Sequence, residues 1–365
     1  MTPEDAFLED IRENPEDDAV RLIYADWLED RDGPGDVDRA EFIRVQIAVS
    51  SLRGEDLTRT AQRARDLLER HWDDWTAPLW RILGRKTVSS AAPVRFRRGF
   101  LHEVTLNTGE FLAHHRALLR LGPIGKLRLL EAGGNGVALS ACESLSAIRE
   151  LDFADYFREP FTGPDMMALA NSPHLDHLRV LRLARNNLGD AGLYALSGAA
   201  WLAGVVALDL TDNGLSRDGI MALARTRRTF RPFWLRLARN PIGTSGGEQM
   251  AGLDLIWHVM GLDHPEGTTG GTEVPGPNIL ADVVGFDLAH CNLDNHDIAF
   301  LASVPLGSLR ELDLTGNDFD DEGAHHLARA PWMRGLRRLR MQQNALTHRG
   351  LGLLAPLFSR MQVEL

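Results

Sequence analysis

Cysteine is scarce in this sequence: Cys142 and Cys291 are the only two in 365 residues. Two thiols cannot build a disulfide framework, and both fall at apolar positions of the repeat pattern below, so buried, reduced side chains are expected. No run of 18 or more apolar residues occurs and the first residues are acidic, which predicts neither a membrane span nor a secretory leader and leads us to expect a cytoplasmic protein. Lysine is nearly absent, Lys86 and Lys126 among forty basic residues, a bias that we ascribe to genome composition. There is no Walker-type glycine loop, no G-x-S-x-G elbow, no GxGxxG between strand and helix, and no HExxH or CxxC pair. The thirteen histidines do not compensate. His114-His115 and His325-His326 are sequence neighbours, which a helix sets roughly 100° apart, and His290, Cys291 and His296 include a residue needed by the core. We therefore expect no catalytic, cofactor or metal site.

What the sequence has is a period. The stretch from Leu178 to Leu188 reads LxxLxLxxNxL, and its central leucine, Leu181, recurs as Leu208, Leu235, Phe286, Leu312 and Leu339. Every step is 26 or 27 residues except the one from Leu235 to Phe286, which is 51. Five residues past each anchor stand Asn186, Asn213, Asn240, Cys291, Asn317 and Asn344; eleven past it come Gly192, Gly219, Gly246, Asp297, Gly323 and Gly350. The x-L-x-L stretch predicts a short strand with its leucines inward, stacked in parallel on its neighbours. The Asn is expected to satisfy backbone groups at the turn, and the Gly to begin a helix that returns on the other side.

These columns resemble leucine-rich repeats, and the step length with a full helix is similar to the ribonuclease-inhibitor-like class. The resemblance implies an α/β solenoid with parallel strands on a concave face and helices on the convex face, from residue 99 to 365, in about nine units. Three of these, anchored at Val104, Leu127 and Leu151, lack the Asn and the Gly. It also implies a non-catalytic protein that binds a polypeptide on the concave face. The alternative is a regulator of an enzyme partner, GTPase-activating-like or inhibitor-like, by fold analogy alone.

The first 50 residues hold fifteen acids and five arginines, so nearly all of the net charge of −11 lies there. Such a head repels phosphate, and neither nucleic acid nor an anionic membrane is an expected partner. Thr2-Pro3-Glu4-Asp5 and Asn14-Pro15-Glu16-Asp17 read as two helix starts, and a third helix follows from about Asp38. The run from Asn14 through Arg21-Leu22-Ile23-Tyr24-Ala25-Asp26-Trp27-Leu28-Glu29 to Arg39-Ala40-Glu41-Phe42-Ile43 is similar to the bacterial repeat-companion domain, to which no activity is assigned. We expect residues 1–52 to be that all-helical domain and 53–98 a helical cap, whose Trp72, Trp75 and Trp80 pack on the first repeat.

Side chains next to the anchors should face away from the core. One past the anchor the column reads Arg128, Asp152, Arg182, Asp209, Arg236, Asp287, Asp313, Arg340, its signs alternating until Asp287 meets Asp313. Four past it come Glu131, Asp155, Arg185, Asp212, Arg239, His290, Gly316 and Gln343, expected on the same face. Strands lie about 4.8 Å apart, so lateral ion pairs are expected. Trp234, one before its anchor and flanked by Arg236 and Arg239, has the composition of an interface hot spot. An insertion near 255–280, with a glycine- and proline-rich loop over 262–278, completes the candidate binding elements, and a monomer is expected.

Overall fold

The structure is a computed structural model and describes residues 2–49, 51–84, 94–154, 159–216, 218–220, 223, 234–242, 283–304 and 306–364. The insertion near 255–280, with its 262–278 loop, and Asp155 lie outside the described residues. The chain forms two compact units, which meet in sequence at Leu129–Leu130.

The first unit opens with helices α1 (Pro3–Glu13), α2 (Asp18–Arg31), α3 (Asp36–Ala48) and α4 (Gly54–Ile82). Thr2 and Asp5 form the capping box of α1. The second start signal resolves to Asp17, whose carboxylate accepts from Ala19 N at 2.8 Å. The helices bury Ile11, Tyr24, Leu28, Ala40 and Ile43 against Phe100. The tryptophans sit on one continuous α4, not on a separate segment: Trp75 packs 4.7 Å from Phe42, and Trp72 edges onto Phe96.

The segment expected to be wholly helical is not. Val94–Arg97 is a strand, β1, that runs antiparallel to β2 (Phe100–Asn107), Val94 opposite Val104. The reason is the turn: Arg98 and Gly99 both take left-handed φ (53° and 84°), which suits a tight hairpin. A Cβ on Gly99 would also strike Ile43. Helix α5 (Thr108–Leu118) and strand β3 (Lys126–Leu130) follow. The acidic head is internally matched to a large degree. Arg63 binds Glu41 through two nitrogens, Arg70 and His71 meet Asp38, and Arg98 meets Glu16 and Asp18.

The second unit is the repeat array. Strands β4 (Glu150–Asp152), β5 (Val180–Arg182), β6 (Ala207–Asp209), β7 (Trp234–Arg236), β8 (Gly285–Asp287), β9 (Glu311–Asp313), β10 (Arg338–Arg340) and β11 (Gln362–Glu364) lie side by side in sequence order, all parallel. The anchors form one continuous row, Leu151, Leu181, Leu208, Leu235, Phe286, Leu312, Leu339 and Val363, each paired with the next. The 51-residue step thus leaves β7 and β8 as direct neighbours. Val363, 24 residues past Leu339, anchors a strand that the period count omitted. Helices α6 (Gly136–Ser140), α7 (Gly163–Ala170), α8 (Gly189–Ser197), α9 (Asn295–Ser303), α10 (Asp321–Arg329) and α11 (His348–Phe358) return between strands. Each anchor is buried, a contribution of about 1.5–3 kcal/mol per leucine.

The Asn column is a ladder running across repeats. Asn240 Nδ2 donates to Leu237 O in its own repeat and to Leu210 O in the one before, while Oδ1 accepts from Asn213 N and Leu215 N. Asn317 does the same for Leu314 O, Leu288 O, Cys291 N and Leu293 N. At Cys291 the thiol replaces the amide and donates to Leu237 O at 3.4 Å. Burial pushes that thiol up to about 12, so it remains protonated as a weak donor.

A second ladder runs along the helix starts. Asp190 accepts from Ser216 N and Oγ, Asn295 from Asp320 N, and Asp321 from Thr347 N and Oγ1. Each donor stands eight past its own anchor and each acceptor nine past the preceding one. This explains the glycine column, which sits within the first helical turn and does not merely begin it. A Cβ at Gly219, Gly323 or Gly350 would lie 2.3, 2.9 or 2.2 Å from the Oδ1 of Asp190, Asn295 or Asp321.

Candidate binding face of the sheet

Three-residue strands leave two outward positions per repeat, immediately before and after the buried anchor. On β7 these are Trp234 and Arg236, both exposed, with Leu235 buried between them. Trp234 is 38% exposed, and its ring lies over Gly285 of the next strand, where a Cβ would stand 1.9 Å from the ring carbon Cζ3. Ala207 is its neighbour on the other side. The indole divides the face into two hollows. The larger, about 260 Å³, is lined by Val180, Arg182, Ala207, Asp209 and Arg236; the smaller, about 60 Å³, by Arg236, Gly285, Asp287, Glu311, Asp313 and Arg340.

The charged row is partly committed. Asp209, Asp287 and Asp313 each turn one carboxylate oxygen back to a backbone N–H two residues on, of Thr211, Ala289 and Thr315, at 3.0–3.1 Å. For two of them the second oxygen meets an arginine of the adjacent strand: Arg236 reaches Asp209 at 3.4 Å and Arg340 reaches Asp313 at 3.5 Å. Arg340 also binds Glu364 at 3.1 Å. These are the lateral pairs expected, each worth about 0.2–1 kcal/mol. Arg182 departs from the expected row and pairs across it, with Glu150 at 3.2 Å. Among the described residues Asp287 has no cation within 4.0 Å. Burial raises its pKa, and the neighbouring Asp313 raises it further.

The column four past the anchor does not belong to this face. Glu131, Arg185, Asp212, Arg239, His290, Gly316 and Gln343 all have φ between 54° and 68°. The strand ends one residue after the anchor, and the chain needs a left-handed residue to turn the following Asn inward. Arg239, expected beside Trp234 on the strand surface, is therefore a turn residue. The Asn column (Asn186, Asn213, Asn240, Cys291, Asn317 and Asn344) lies inside the stack and offers nothing to a partner.

Among the described residues no group of three or more His, Cys, Asp and Glu is placed to hold a metal ion, and no helix is long and apolar enough to cross a membrane. An aromatic exposed at its edge between two hollows, over a row of ion pairs, is an arrangement for recognition by contact.

The fold is a leucine-rich repeat solenoid, with parallel strands in one sheet and helices returning between them. The leucine-rich repeat family matches residues 174–197, 205–224 and 308–328. Among solved structures, an internalin from Listeria monocytogenes is 14% identical over 72% of this chain and 58% of its own, with a TM-score of 0.42. Toll-like receptor TLR13, solved in complex with ssRNA13, is 14% identical over 67% of this chain and 36% of its own, with a TM-score of 0.33. This chain thus spans less than two thirds of either. No curated protein matches it.

Proposed function

We propose that this protein is a non-catalytic interaction protein that grips a polypeptide on the open, concave side of its sheet, with Trp234 at the centre of the contact. The observation that carries this reading is the placement of Trp234: a large aromatic exposed on a strand, over a glycine, between two hollows. Aromatics in such surroundings supply a large share of interface energy. The pairs of Arg236 with Asp209 and of Arg340 with Asp313 hold the rim in place, Arg182 extends it, and Asp287 with Asp313 accepts a lysine or arginine of the partner. Arg239, on its turn, takes no part. We further read the repeats as ribonuclease-inhibitor-like, supported by the 26- to 27-residue step and the return helices, and residues 1–52 as a repeat-companion domain, supported by its three helices. The protein acts as a cytoplasmic monomer, without cofactor, nucleic acid or membrane.

The test is capture from native lysate on immobilised wild type, Trp234→Ala, Gly285→Val and, as a control on the helix side, Tyr194→Ala. We expect a stoichiometric polypeptide bound by wild type and Tyr194→Ala and held at least about tenfold less tightly by Trp234→Ala and Gly285→Val. Trp234→Ala should leave the melting temperature almost unchanged. A large fall in melting temperature with intact capture would make Trp234 a core residue and end the proposal.

A further inference from the structure

The first unit encloses a cavity of about 540 Å³ for which the sheet-face reading has no use. Its walls are mostly apolar: Leu8, Leu28, Leu79, Trp75, Phe96 and Phe100. Arg39, in α3, also lines it. The Arg39 guanidinium is framed by rings, 4.6 Å from Trp75, 5.6 Å from Phe96, 5.6 Å from Phe100 and 5.8 Å from Phe42. Its Nη1 is buried and has no hydrogen-bond partner. Among the described residues no carboxylate lies within 4.0 Å of it. Burial lowers its pKa to about 10, against the pull of Tyr24 and Glu4, so it is charged at neutral pH.

The other charges lining the cavity are already occupied. Arg31 is held by both oxygens of Asp36 at 2.6 Å and by Glu4 at 2.9 Å. Tyr24 donates to Glu4, and His71 meets Asp38. Arg39 is left with a positive charge and an unused donor in a space of ligand size. An unmatched buried cation is costly unless something completes it, and a guanidinium prefers a planar oxyanion.

We propose that this cavity is a binding site for a single carboxylate carried on an apolar body, the carboxylate taken by Arg39 and the apolar part enclosed by Trp75, Phe96 and Phe100. A doubly charged phosphate fits less well, because one free guanidinium faces it while Glu4, Asp36 and Asp74 line the same space. Two sources carry this chemistry: the C-terminal residue of a polypeptide, or a free aromatic or aliphatic acid.

The full chain is titrated with N-acetylphenylalanine, with its amide, and with a hexapeptide ending in phenylalanine as free acid and as amide, by calorimetry and tryptophan emission. We expect at least one acid to bind with 1:1 stoichiometry, its amide to bind at least tenfold more weakly, and Trp75 emission to shift. Preference for the peptide acid assigns a polypeptide C-terminus; equal or better binding of the small acid assigns a free acid. The acid–amide contrast needs no variant. Arg39→Met, checked for native circular dichroism, should lose at least tenfold in affinity for the acid, and Trp234→Ala should lose none. The proposal is overturned if neither acid binds at millimolar concentration, if acid and amide bind alike, or if folded Arg39→Met binds as wild type does.

Discussion

Asn317→Ala tests the ladder that joins one repeat to the next. The Asn317 side chain is buried and makes four hydrogen bonds of 2.8–3.0 Å to main-chain groups: Leu314 O in its own repeat, and Leu288 O, Cys291 N and Leu293 N in the preceding one. Truncation removes all four bonds and leaves two carbonyls and two N–H groups facing a small cavity. At about 1 kcal/mol net per bond, and more for each buried group left unpaired, the loss is about 3–5 kcal/mol. Entry of a water molecule would reduce it toward the lower figure. Asn317→Asp separates the two halves of the effect, since it keeps both acceptors and turns a carboxylate toward both carbonyls. Asn317→Cys copies the solution found at Cys291 and should fall between wild type and alanine. The assay is urea unfolding with hydrogen exchange at the Cys291 and Leu293 amides, whose protection should fall first because repeats communicate through their neighbours. A loss below about 1 kcal/mol, a single net hydrogen bond, with exchange at those amides unchanged would refute the view that this column couples the repeats.

Asp287→Asn keeps an acceptor for Ala289 N while removing the repulsion by Asp313, so stability at neutral pH should rise by about 0.2–1 kcal/mol. The sign with pH follows from the raised pKa of Asp287. Between the ordinary carboxylate range and that raised value the folded state holds the proton more tightly than the unfolded one, so this residue's contribution falls as pH rises through the window. The variant's advantage should thus vanish in acid and be complete near neutrality; melting curves across that range check it, and a variant less stable at pH 7 contradicts it. Gly350→Ala places a Cβ 2.2 Å from Asp321 Oδ1 and should displace that carboxylate from Thr347, costing about 1–3 kcal/mol. Thermal melts beside the double variant with Asp321→Ala decide the cause, because the clash is absent once the carboxylate is gone.

The periodic part of the fold was legible. Leucines at a fixed step, with Asn five residues on, specify which side chains are inward and which strands are neighbours, because each unit can bury its apolar side only against a copy of itself. The row from Leu151 to Leu339 follows from spacing alone. Trp234 was placed on the outward side by the same two-residue alternation. The length of each strand was not legible. Because it is three residues, the position occupied by Arg239 leaves the face for a left-handed turn, and the charges read there as a second binding row are turn residues. The glycines eleven past the anchor were visible as a column, but their cause, the reach of Asp190, Asn295 and Asp321 into the next repeat, depends on contacts 25–28 residues away.

The sequence by itself determined the repeat, its register and the residues that turn each unit, since these rest on local period and on side-chain chemistry that any stacked copy must meet. Only the tertiary structure decided which charges meet. It sent Arg182 to Glu150, left Asp287 without a cation, laid Trp234 across Gly285 and enclosed Arg39 among rings drawn from α3, α4 and the β1–β2 hairpin. Those outcomes are set by distances between segments far apart in the chain, which no spacing along it encodes.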